Sequence, residues 1–141
     1  MSSLDEARSV KGIGSIKDDV CEQYLLRRGF TNLKPTFGDD ANTANLKKLM
    51  LGRIDLWVSS RSQASVSARE AGIPRESIEP VYTLLEVPLY IAFSKDTPDA
   101  AVAEWQRALN AIKKDGTYGK IMRKYPSGTR SMTFIPPPTA P

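Results

Sequence analysis

At 141 residues, with 40% hydrophobic and 26% charged side chains, the chain has the length of one ordinary domain and can bury one sizeable core. Its 20 basic and 16 acidic residues leave a net charge of +4, but the basic residues stand in ones and twos (Arg27-Arg28, Lys47-Lys48, Lys113-Lys114), which argues for a solvated surface and against nucleic-acid binding. No apolar run approaches the ~20 residues that span a bilayer, and a single cysteine with no histidine excludes an internal disulfide, a typical zinc site and a histidine-based triad.

Met1 to Glu6 carry neither a basic segment nor an apolar core and do not read as a signal peptide. Residues 8–16 predict a first strand, with Val10 and Ile16 as its core residues. Asp19 then caps a helix, with Glu22 at the capping-box spacing; Val20, Tyr24 and Leu25 are its buried stripe and Gly29 its stop. Gly12 and Gly14 suggest a dinucleotide fingerprint, but Lys17 stands where a third glycine belongs and no acidic residue follows about twenty positions on. They are read as strand-end geometry.

Phe30 to Phe37 predicts a second strand, carrying Leu33 and Phe37 and confined to an edge by Pro35. Asp40 or Asn42 caps the next helix, whose apolar face is Leu46, Leu49 and Met50 and whose end is Gly52. Ile54, Leu56 and Val58 then alternate with Asp55, Trp57 and Ser59 in a third strand that runs into a loop at Ser59-Ser60-Arg61. A helix from about Ser62 to Ala71 follows, ended by Gly72 and Pro74. This alternation predicts a parallel α/β sheet with right-handed crossovers.

From Ile78 the pattern becomes β-rich. Ile78 to Leu85 is one strand; Val87 to Phe93, almost continuously apolar, reads as a strand buried on both faces. Thr97 and Pro98 open a helix with Val102, Trp105, Leu109 and Ile112 on one face, and after Asp115-Gly116 a last helix presents Tyr118, Ile121, Met122 and Tyr125. Pro126 to Pro141 holds five of the ten prolines and no periodicity. It reads as an extended tail, mobile unless docked through Phe134 and Ile135.

In an open parallel sheet ligands collect beyond the carboxyl ends of the strands. Three such ends are identifiable: Lys17-Asp18-Asp19, Gly38-Asp39-Asp40 with Asn42, and Ser59-Ser60-Arg61. Asp18, Asp19, Asp40, Asn42, Ser59, Ser60 and Arg61 are therefore the candidate ligand-binding residues. Carboxylates at two helix N-termini repel an anion and favour a cation, although capping alone accounts for Asp19 and Asp40. Cys21 reads as a core cysteine and not a nucleophile. No catalytic residue, metal or cofactor is indicated.

The order of pieces, Asp18 to Leu25 (DDVCEQYL), Asn45 to Trp57 (NLKKLMLGRIDLW), Leu89 to Pro98 (LYIAFSKDTP) and Trp105 to Ile121 (WQRALNAIKKDGTYGKI), resembles the family 3 extracellular solute-binding proteins, which deliver polar amino acids and similar solutes to ABC importers. The likeness covers about residues 5 to 125. It implies one lobe of a type II periplasmic-binding-protein fold: a three-layer parallel-sheet lobe over 1–86, a hinge strand and C-terminal helices of the other lobe over 87–125, and a tail over 126–141. The first lobe, which supplies an arginine for the ligand carboxylate, is expected to lie outside this sequence. The family often has Gly-Thr where Asp18 and Asp19 stand and an aspartate where Ser60 stands, so the charges are exchanged and an ordinary α-amino acid is disfavoured as ligand.

The resemblance implies a non-catalytic receptor in the periplasm, partnered by a small polar solute and the importer's membrane subunits. The alternatives are the effector-sensing domain of a regulator, which would carry a DNA-binding helix-turn-helix, and a small enzyme on a flavodoxin-like sheet, for which catalytic groups are lacking. An uncovered strand and helix face predict a homodimer.

Overall fold

The computed structural model describes residues 1–87, 90–124 and 130–137. Over its first half, strand and helix alternate as the sequence predicts: β1 (Ile13–Ile16), α1 (Val20–Arg27), β2 (Leu33–Thr36), α2 (Ala41–Met50), β3 (Leu56–Ser60) and α3 (Arg61–Glu70). β4 (Tyr82–Val87) follows, then two helices, α4 (Asp99–Lys114) and α5 (Thr117–Lys124), and β5 (Arg130–Ile135). The chain divides into two units, Met1–Val87 with Arg130–Pro141 and Pro88–Thr129.

The first unit is built on one five-stranded mixed sheet in the order β2-β1-β3-β5-β4. β1 pairs in parallel with β2 and β3, whereas β5 runs antiparallel to β3 and β4. Ile13, Leu56, Val58, Leu84 and Phe134 cover one face together with Cys21 and Leu25 of α1. Trp57 and Ile135 cover the other with Leu46 and Leu49 of α2 and Ala64 and Ala68 of α3. This unit is a three-layer α/β arrangement.

Several expectations need correction. The segment read as a tail supplies β5, which lies between β3 and β4 with Phe134 and Ile135 fully buried. Local composition hid it, because a six-residue strand beside a run of prolines carries too little periodicity to register. Residues 90–94 form no strand, and Tyr90 and Ile91 are exposed, so the buried strand expected over Val87 to Phe93 is not formed. The strand beside β3 and β4 is β5; Pro88 and Leu89 lie outside the described residues. Tyr125 and residues 126–129 and 138–141 also lie outside them.

Finer shifts follow from which way each face turns. Ile13, not Val10 or Ile16, is the buried large apolar side chain of β1, Cys21 replaces the exposed Val20 in the stripe of α1, and Phe37 is 80% exposed beyond an edge strand. On α2 the buried positions are Ala41, Asn45, Leu46 and Leu49, with Met50 at the margin. Gly52 ends α2 at φ +63°, as expected of a left-handed stop. Pro98, not Thr97, holds the N-cap position of α4, without a side-chain bond. Among the described residues no helix is long and apolar enough to cross a membrane.

Phe134 tests the corrected topology. Phe134→Ala is expected to lower stability by about 3–5 kcal/mol in equilibrium urea unfolding, as for a fully buried aromatic, whereas a mobile tail would leave the midpoint unchanged.

Candidate functional site

Because β2 and β3 lie on opposite sides of β1, the connections leaving β1 and β2 diverge, and a crevice opens between the carboxyl ends of β1 and β3. A pocket of about 120 Å³ sits there. Ile16 from β1, Asp19 at the start of α1 and Asn42 in the first turn of α2 form one side. Val58, Ser59 and Ser60 from β3, Gln63 from α3 and Met132 from β5 form the other.

Each polar group is held by the backbone around it. Asp19 caps α1: its Oδ1 accepts from Cys21 N at 2.9 Å and Glu22 N at 2.8 Å, leaving Oδ2 uncommitted to the helix. Burial raises its carboxyl above the ordinary aspartate range; the two backbone N–H donors act in the opposite direction, and the nearby Glu22 charge adds to the rise. Ser60 caps α3 by accepting from Gln63 N at 3.2 Å, and its hydroxyl lies 3.1 Å from that of Ser62. β3 thus passes into α3 with no intervening residue, where a loop was expected. Ser59 is buried, and its hydroxyl has no partner among the described residues.

Behind the pocket the sheet and helices are tied by buried polar groups. Asn45 donates from Nδ2 to Ser15 O at 2.9 Å and accepts from Thr36 Oγ1 at 2.7 Å, fixing α2 against β1 and β2. Gly14 makes room for it: a Cβ there would meet Ile54 Cδ1 at 2.6 Å and Asn45 Oδ1 at 3.1 Å. Gly14 is therefore needed for close approach within β1, not for a strand end. Glu22, buried, accepts from Asp18 N and lies 3.5 Å from Ser15 Oγ.

Of the seven candidate residues the structure brings four together, Asp19, Asn42, Ser59 and Ser60. Asp18 is exposed at φ +62°, a conformation that aspartate tolerates better than most residues. Asp40 is exposed at the N-cap of α2 with no side-chain bond, and Asp39 is exposed beside it, so these acidic residues do not converge: among the described residues Asp19 is the one carboxylate lining the pocket. Arg61 points away, lining a separate pocket of about 60 Å³ with Arg75 and Ile78. Successive residues at a helix start face different directions, so strand-end membership alone could not separate Ser60 from Arg61.

Gln63 and Met132 were missed. Gln63 had a readable signal, since Ser60-x-x-Gln63 has the capping-box spacing. Met132 had none, because it reaches the site only through the long-range pairing of β5. Among the described residues no group of three His, Cys, Asp or Glu could hold a metal ion. Comparison of the chain with protein-family models, with characterised proteins and with solved structures returns no match in any of the three.

Cys21, close to the pocket in sequence, is buried in the core. Burial, with Asp19's charge adding, pushes its thiol up to about 12. The native protein at pH 8 is therefore expected to resist a disulfide-exchange thiol reagent, and the same protein in urea to react fully; rapid native labelling would contradict the burial. An unfolded thiol ionises near ~8.5, so the unfolded state loses its proton first and this group's contribution to stability is lost as pH rises from ~8.5 through about 12.

Proposed function

We propose that this chain is a non-catalytic binding lobe for a small amine-bearing polar solute, and that it serves as, or as part of, the substrate-binding component of an ABC importer, working in the periplasm with the importer's membrane subunits. The observation that carries the binding reading is the pocket between the ends of β1 and β3, lined among the described residues by one carboxylate, two serines, an asparagine and a glutamine. Acceptors held by helix caps and strand ends suit an ammonium group: Asp19 Oδ2 supplies the charge, and the Ser60 hydroxyl and Asn42 amide supply neutral acceptors.

One position fits the resemblance: Asp18 adopts a positive φ where the solute-binding family often has glycine. Asp19, where that family often has threonine, departs from it and changes the charge of the site. At about 120 Å³ the pocket takes the charged end of a solute and a few carbons, well below the roughly 300–1,000 Å³ of a complete small-molecule site. These residues therefore form one wall. Affinity for this lobe alone is expected to be weak, with Kd on the order of 1 mM.

Calorimetry with cationic amino acids and polyamines against dicarboxylates tests the reading. Cations are expected to bind and dicarboxylates not; Asp19→Asn should weaken cation binding at least about tenfold, while Asp40→Asn should leave it within about twofold. Because the carboxyl of Asp19 is raised, it protonates at a higher pH than an ordinary aspartate, so binding is expected to fade on acidification already above ~3.9. Tighter binding of a dicarboxylate would overturn the charge assignment.

A further inference from the structure

Two arginines of the first unit share a pocket that the solute site does not use. Arg61 is the first residue of α3, and Arg75 opens a single helical turn over Arg75–Ser77, so the two come from separate segments and meet only in the folded chain. The pocket between them has a volume of about 60 Å³. Ala64, Ile78 and Ile135 give it an apolar lining, of which Ala64 and Ile135 are buried, while both arginines are exposed. Ser65 also lines it, but its hydroxyl is committed to the backbone oxygen of Arg61 at 2.9 Å.

Neither positive charge is answered within the chain. Among the described residues no acidic side chain lines the pocket, neither guanidinium group has an ion pair or a hydrogen bond, and the first turn of α3 contains no acidic residue. Glu76 and Glu79 follow Arg75 closely in the sequence, yet neither reaches the pocket. Two like charges are thus placed at one cavity over a buried apolar floor, where the local dielectric is lower than at open surface and a counter-charge is held more strongly.

The donor set selects the ligand. A guanidinium group offers N–H donors in a planar fork and no acceptor, and one fork already engages both oxygens of a carboxylate. Two forks from separate segments are matched by a tetrahedral dianion, whose second charge and further oxygens serve the second arginine. Since a water needs about 10–15 Å³ of such free space, 60 Å³ admits a phosphate group and little beyond it. We propose that Arg61 and Arg75 form a binding site for a phosphate group, carried either by inorganic phosphate or by a phosphate monoester. The site does not depend on the solute-binding reading, because no residue lines both pockets.

A nuclear magnetic resonance titration of the full chain at pH 8 and constant ionic strength, with inorganic phosphate, methyl phosphate and acetate in separate arms, tests it. Both phosphates are expected to give saturable shifts at the side-chain Nε–H groups of Arg61 and Arg75 and at the Ile78 amide, half-complete on the order of 1 mM, with acetate at least about tenfold weaker. Methyl phosphate equal to inorganic phosphate would identify the monoester as an occupant, and a tenfold preference for inorganic phosphate the free ion; either supports the site. Arg61→Ala and Arg75→Ala should each raise the half-saturating concentration about tenfold, and Arg75→Lys, which keeps the charge without the fork, should recover only part of the loss. Both arginines are exposed, so the remaining spectrum should stay native in each variant. Shifts that never saturate and are shared with Lys47 and Lys48, acetate binding as tightly as phosphate, or variants that bind phosphate unchanged would each overturn the proposal.

Discussion

β3 is buried along its whole length, and that single constraint organises the first unit. A strand with no water on either face or edge must have both faces covered by side chains and both edges hydrogen-bonded. β1 satisfies one edge through Ile13 and Gly14. The other is met by β5, whose residues 132–135 pair with 57–60. Joining segments so far apart in sequence costs on the order of 4 kcal/mol of chain entropy. Burying Phe134 and Ile135 completely contributes about 1.5–3 kcal/mol each, which is comparable to the closure cost before the ladder is counted.

The same strand positions the pocket. Because β3 runs directly into α3, Ser59 and Ser60 sit on a rigid strand end opposite Asp19. Asn45 does the corresponding work for β1, β2 and α2: a fully buried amide with both its functions satisfied locks the crevice walls in one register. Gly14 permits that approach, so a glycine in mid-strand and a polar residue in a helix face are parts of one packing solution.

The two units use amphipathic helices differently. In the first, α2 and α3 spend their apolar faces against Trp57 and Ile135, and the polar residues of their first turns are left at the crevice. In the second, α4 and α5 contact each other and residues 90–93 flank α4, yet no described side chain reaches full burial. Among the described residues, the apolar faces of these helices meet each other and residues 90–93 without closing a core.

What the sequence determined by itself is local. Helical periodicity, caps and the glycine stop at Gly52 placed α1, α2 and α3, the alternation implied a sheet with crossovers, and strand ends pointed to Asp19, Asn42, Ser59 and Ser60, because each of these signals lies within a few residues. Only the tertiary structure decided which apolar strand completes the sheet. Val87 to Phe93 is the more hydrophobic stretch, yet 130–135 takes the place beside β3, because occupancy depends on reach and register across many residues and not on hydrophobicity alone. The site divided along the same line. Asp18, Asp40 and Arg61 share strand ends with the pocket residues, and their exclusion follows from the directions of neighbouring side chains at helix starts, which depend on backbone angles that composition does not carry.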